Sequence, residues 1–86
     1  GGGNGVINNL TVSGTNYGIR TGQSSGTVNP DASLTITSSS LTAKHPLWLR
    51  GDAPASVTLI GTTLIDIEGD GEIRNDVGPE IDIQID

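Results

Sequence analysis

The sequence predicts an all-β chain, a short parallel β-solenoid of about three and a half coils. Three observations predict it. Four segments begin alike and alternate apolar with polar residues: Leu10-Thr11-Val12-Ser13, Leu34-Thr35-Ile36-Thr37, Val57-Thr58-Leu59-Ile60 and Ile81-Asp82-Ile83-Gln84. Their first residues lie 24, 23 and 24 positions apart, a repeat of 23–24 residues. Period-two alternation marks a strand with one buried face. A constant step lays each strand over the last, about 4.8 Å away. Second, Gly18-Ile19-Arg20-Thr21-Gly22, Trp48-Leu49-Arg50-Gly51-Asp52 and Glu72-Ile73-Arg74-Asn75-Asp76 share an apolar–Arg pair followed by turn formers. Third, Thr, Ile and Val are plentiful and helix formers scarce, with 13 Gly, no Phe, one Trp and one Tyr, a β-forming composition.

Taken in order, residues 1–5 read as a flexible glycine-rich lead-in and 6–86 as the solenoid domain. Strands are expected at 6–13, 17–20, 33–42, 47–50, 56–65, 72–74 and 80–85. Turns fall at 14–16, 43–46, 51–55 and 75–79, with a long loop at 21–32 and an acidic turn at 66–71. Pro30, Pro46, Pro54 and Pro79 stand in or beside these connections, where a missing N–H costs no ladder bond. The alternation assigns Leu10, Val12, Ile19, Leu34, Ile36, Leu41, Leu47, Leu49, Val57, Leu59, Leu64, Ile73, Ile81 and Ile83 to the core. Pairing the arginine blocks puts Arg20, Arg50 and Arg74 in one column. It gives the first coil a short first arc and a long later loop, whereas a gap-free alignment sets Arg20 over Lys44.

The blocks Leu34 to Thr42 and Val57 to Leu64 resemble right-handed parallel β-helix proteins, the pectate-lyase-like superfamily. That group includes pectin-degrading enzymes, alginate epimerases, phage tailspikes and other virion or surface proteins. The resemblance spans about residues 6–86 and implies the right hand of the coil. It carries no particular activity, because one fold hosts many functions.

Composition narrows the classes. Eighty-six residues make one domain with a small core. The absence of cysteine removes disulfides, and the absence of methionine suggests processing or excision from a longer chain. No apolar run approaches the roughly 18 residues of a membrane span, and the first residues lack the pattern of a signal peptide. Residues 1–65 hold Arg20, Lys44 and Arg50 against Asp31 and Asp52, a net of +1. Residues 66–86 hold Arg74 against eight carboxylates, a net of −7. Nucleic acid is excluded as a partner, since phosphate binding needs a basic face.

The candidate ligand-binding residues are Arg20, Trp48, Arg50 and Arg74. Three outward arginines stacked about 5 Å apart repel by roughly 1 kcal/mol per neighbouring pair even in high dielectric. An anion such as an acidic sugar, held by the forked guanidinium groups, would offset that. Local pairing with Asp52, Glu72 and Asp76 would do so too, and the low worth of surface charge pairs favours this plainer account. Trp48 is a sugar-stacking platform, a subunit anchor or a partner for a neighbouring arginine. The run Asp66-Ile67-Glu68-Gly69-Asp70-Gly71 opens like a calcium loop, with Asp66, Glu68 and Asp70 as ligands. Val77 then stands where the closing Glu belongs and Arg74 at the ninth position. A solvated acidic turn is the preferred account, and any calcium would be held weakly. No other cofactor is expected.

Three further features carry little. Arg50-Gly51-Asp52 spells the integrin-recognised tripeptide, and Asn9-Leu10-Thr11 matches a glycosylation acceptor. His45 is the lone histidine, and a hydrolase triad has no support. No catalytic residue is therefore assigned. The sequence points to a structural or interaction module of a virion or cell-surface assembly: a spike, fibre or capsid decoration. It would work as a homo-oligomer, a trimer by preference, or docked on another surface protein. The alternative is a carbohydrate-recognition module or a piece of a polysaccharide-processing enzyme.

Overall fold

A computed structural model describes residues 3–22, 26–69, 71–78 and 81–86. The chain is all-β, with no helix among the described residues. Its strands are β1 (Gly3–Asn8), β2 (Thr11–Arg20), β3 (Asn29–Thr37), β4 (Ser40–Leu49), β5 (Pro54–Ile60), β6 (Thr63–Asp66), β7 (Ile73–Asn75) and β8 (Asp82–Ile85). Two sheets result, and every strand pair is parallel. The first runs β1-β3-β5-β8. In the second, β4 has β2 along one edge, and β6 and β7 follow one another along the other.

The alternating pattern explains which residues face inward. In the first sheet Leu34, Val57 and Ile83 stand in one inward row and Ile36 and Leu59 in the next, while Ile85, level with Leu59, is 67% exposed. Thr35, Thr58 and Gln84 lie between them on the other face. In the second sheet the inward rows are Val12, Leu41 and Leu64, then Ile19, Leu47 and Ile73. Ile36, Leu47, Leu49, Ala53, Val57, Leu59 and Ile81 form one buried cluster drawing on both sheets, so the sheets face each other across it. Each large aliphatic side chain fully buried there contributes about 1.5–3 kcal/mol. Every residue expected in the core is buried or half-buried. Ile7, Val28, Ala43, Ala53 and Val77, which the pattern did not single out, join them.

The passage from first to second sheet is made the same way three times. Asn9, Ser38 and Gly61 adopt left-handed backbone, with φ of 59°, 52° and 55°. Each follows a strand of the first sheet and is followed by one residue, then a strand of the second. Asn9 N–H donates to Thr37 C=O (3.0 Å) and Ser38 N–H to Ile60 C=O (2.8 Å). The next residues, Leu10, Ser39 and Thr62, are linked through hydroxyls. Leu10 N–H donates to Ser39 Oγ (3.1 Å), and Ser39 N–H to Thr62 Oγ1 (3.4 Å). The hydroxyls in turn donate to carbonyls: Ser39 to Thr37 (3.0 Å), and Thr62 to Ile36 (2.9 Å) or Ile60 (3.1 Å). Ser39 is 4% exposed, so these bonds satisfy groups that water does not reach.

The corner revises the expected repeat. Gly5 pairs with Leu34, Leu34 with Val57 and Val57 with Ile83, steps of 29, 23 and 26 residues. Leu10 to Ser13 resembles Leu34 to Thr37 but lies past the corner, where Thr11 and Val12 pair with Ser40 and Leu41. The expected strands 6–13, 33–42 and 56–65 are each broken in two by the left-handed residue. Gly3 to Gly5, expected in a lead-in, are strand residues paired with β3; Gly1 and Gly2 lie outside the described residues, as do Pro79 and Glu80. Nor are 14–16 and 43–46 turns. They run inside β2 and β4, with Gly14 (φ 79°) at a register shift between Ser13 and Thr15.

Pro46 is therefore buried within a strand. It stands opposite Gly18, between the Tyr17–His45 and Ile19–Leu47 pairs. A Cβ on Gly18 would come 2.6 Å from Pro46 O and 3.0 Å from Leu41 Cβ, so the strands can approach here only because β2 has no side chain.

The hydroxyl corner makes a prediction. Ser39→Ala leaves the Leu10 N–H without its partner and is expected to cost about 1–3 kcal/mol. Ser13→Ala, at an exposed position of β2, should stay within about 0.5 kcal/mol. Urea melts of the two variants check it; equal midpoints would remove the corner's role.

Candidate functional site

The outward side chains of the second sheet gather most of the chain's unusual residues. Alternation along β2 and β4 turns Arg20 and Trp48 away from the core between inward Ile19 and Leu47 and their neighbours. The register sets Tyr17 beside His45, and Arg20 beside Trp48 beside Arg74. The arginine column is thus not Arg20, Arg50 and Arg74. Trp48 takes the middle place, and Arg50 lies just past the end of β4. The expected alignment matched Leu49-Arg50 to Ile19-Arg20 on wording, but Leu47-Trp48 is the pair that stacks on it.

This register answers the repulsion problem. Arg20 and Arg74 are two strand spacings apart, about 10 Å, with an indole between them. The Arg20 guanidinium carbon lies 4.4 Å from the centre of the Tyr17 ring and 5.6 Å from that of Trp48. Arg50 and Arg74 approach the Trp48 ring to 5.4 and 4.4 Å. A ring's negative face attracts each cation, by about 0.5–1 kcal/mol at exposed sites. Tyr17 meets Trp48 edge to face at 6.4 Å, and His45 lies 5.2 Å from it. Arg74 Nη1 is 3.4 Å from His45 Nε2, a contact to which the guanidinium can bring only a donor.

One carboxylate completes the cluster. Trp48 Nε1–H donates to Asp76 Oδ2 (2.9 Å), and Arg74 Nε–H reaches Asp76 Oδ1 and Oδ2 at 3.2 and 3.1 Å. Arg74 and Asp76 form an ion pair, each side chain 43% exposed. The indole N–H holds the Asp76 carboxyl below the usual range against the opposing effect of burial, with the Arg74 hydrogen bond, the Arg74 charge and the Arg50 charge adding to it. The local pairing expected from sequence is found at Asp76. Tyr17 and His45 were not foreseen in the site; the signal available was that the lone Tyr, His and Trp sit on strands that pair.

The acidic turn is built differently. Asp66 accepts the N–H of Glu68 (2.9 Å) and that of Gly71, so its carboxylate closes its own loop. Glu68 is exposed, and Asp70 lies outside the described residues. Among the described residues no three His, Cys, Asp or Glu side chains are grouped to hold a metal. Arg50-Gly51-Asp52 forms a tight corner with Gly51 buried and Asp52 at φ 65°. Arg50 N–H there donates to Thr21 Oγ1 at 2.8 Å.

Chemically, the cluster offers guanidinium forks held against aromatic faces, the equipment to receive an anion. Because arginines surround the indole, a sugar ring would have to displace one to stack on it. No helix is long and apolar enough to cross a membrane among the described residues. Comparison with family models, curated proteins and solved structures finds no match.

Asp76 gives a pH prediction. Its folded pKa lies below the ordinary 3.8, so its contribution to stability is present above that value and is lost as pH falls through the lower folded one. Trp48 is the lone tryptophan. Its emission should change with a midpoint below 3.8 while circular dichroism still reports folded protein, and Asp76→Asn should abolish that step. A midpoint at or above 3.8 would refute the assignment.

Proposed function

We propose that this chain is a non-catalytic structural and interaction module: a short right-handed β-solenoid of about three and a half coils that serves in a viral particle or another surface assembly. A spike, fibre or capsid decoration is the setting that suits it. The observation that carries the reading is the corner made three times in register at Asn9, Ser38 and Gly61. With strands alternating between two parallel sheets, it supports a stack in which each repeat lies on the last. Such a body fixes its outward residues at strand spacing, which is what a docking surface needs. The Trp48 cluster is then its interaction face, and assembly into a homo-oligomer, preferably threefold, is the way it is used. Against the carbohydrate-binding alternative stands the indole ringed by arginines.

Solution mass by light scattering tests this. A species heavier than the 8.8 kDa chain is expected at micromolar concentration. A folded monomer that also docks on nothing in its native assembly would defeat the reading. Ile36→Asp, placing a charge where a side chain has 0% exposure, should abolish both the mass and the folded spectrum.

A further inference from the structure

We infer that the Arg20, Trp48 and Arg50 side of the cluster receives the carboxylates Glu68 and Glu72, on the acidic turn that Asp66 opens, from a second copy of this chain. The inference rests on reading this face as the interaction surface. Three of the chain's four Lys and Arg residues surround Trp48, while residues 66–86 carry a net of −7. The cluster already contains the interaction in miniature. Asp76 accepts from Trp48 and from Arg74, which neutralises the Arg74 side. Arg20 and Arg50 lie against aromatic rings and have no ion pair among the described residues. A carboxylate arriving there gains charge-assisted hydrogen bonds and meets two cations at once.

The acidic turn is suited to supply it. Glu68 and Glu72 are exposed, and Ile67 between Asp66 and Glu68 is 51% exposed, an apolar contact for the edge of Tyr17. Asp66 holds the turn through the N–H groups of Glu68 and Gly71, so little freedom is lost on docking. The turn of the same copy cannot serve: it leaves β6 on one edge of β4, and Arg20 is on β2 along the other. The contact therefore joins different patches of two copies, the kind that closes into a ring or runs on as a filament. Each copy has a net charge of −6, but repulsion beyond about 8 Å is screened at physiological ionic strength, so contact pairs decide. A long anionic glycan fits less well. Laid along the column from Arg20 past Trp48, it would run into Asp76 and the acidic turn.

A charge-reversal pair tests the contact by light scattering, with circular dichroism to confirm folding. One variant carries Arg20→Glu and Arg50→Glu, the other Glu68→Lys and Glu72→Lys. Each alone should assemble at least about tenfold more weakly than the unmodified chain, and an equimolar mixture should recover assembly, reported also by Trp48 emission. Two folded variants that still assemble alone, or fail to recover when mixed, would overturn the inference. So would saturable binding of an oligogalacturonate to the unmodified chain that Arg20→Glu with Arg50→Glu abolishes while assembly persists. If the unmodified chain assembles and the variants do too, this contact falls and the module reading stands. If it neither assembles nor docks elsewhere, both fall.

Discussion

The corner between the two sheets is the constraint on which the rest of the molecule depends. A parallel sheet needs each strand to return to the same starting level, and side chains two residues apart share a face. A left-handed residue followed by a single linker turns the chain while keeping both conditions. Its position after Asn8, Thr37 and Ile60, which stand level in the first sheet, starts β2, β4 and β6 level as well. Left-handed backbone is easy for Gly and tolerable for Asn. Ser38 is the strained member at φ 52°, and it sits beside the buried Ser39 whose hydroxyl both donates and accepts. The cost of the conformation is offset where the hydrogen bonding is densest.

The outer face inherits its chemistry from that register. With Leu41 over Val12 and one extra residue in β2 at Gly14, Leu47 stands over Ile19 and Trp48 over Arg20. The one-residue shift introduced at Gly14 and the loss of side chain at Gly18 decide which outward residues become neighbours. A column of three guanidinium groups would have repelled itself. The column that forms interleaves an indole, and the charges are distributed around it. The same indole gives its N–H to Asp76, so one residue organises both signs of charge.

Much of this was legible in the sequence, for a definite reason. Alternation fixes which face a residue takes, and so Leu34, Ile36, Leu47, Leu49, Val57 and Leu59 were placed inward correctly. It does not fix which strand lies alongside, because any shift by an even number preserves the pattern. Ile81 was set over Val57 where Ile83 belongs, two residues on, and both are apolar. Leu10 was set under Leu34 although a corner separates the strands concerned. Asn9 and Gly61 are residue types that favour left-handed backbone and could have marked the corners; Ser38 carries no such mark. The mid-strand Pro46 was read as a turn because its tolerance depends on Gly18 across the ladder, a partner invisible until strands are paired. Arg20, Trp48 and Arg74 do stand together, but in a different order from the one expected. Asp76, the group that binds two of them, entered only as one of three possible counter-charges.

The uneven steps of 29, 23 and 26 residues have an evolutionary consequence. The inward rows stay in register although the chain between them differs in length, because the surplus is taken up outside the ladders, as between Arg20 and Asn29. Cross-section and outline are thus separately adjustable. Insertions in that stretch change the silhouette presented to a partner while the hydrogen-bonded frame is untouched, and the energetic cost of lengthening such a loop grows only logarithmically. New surfaces can be tried here without renegotiating the core, whereas a single residue added at Ser38 or Ser39 would put the start of β4 out of phase with β2 and β6.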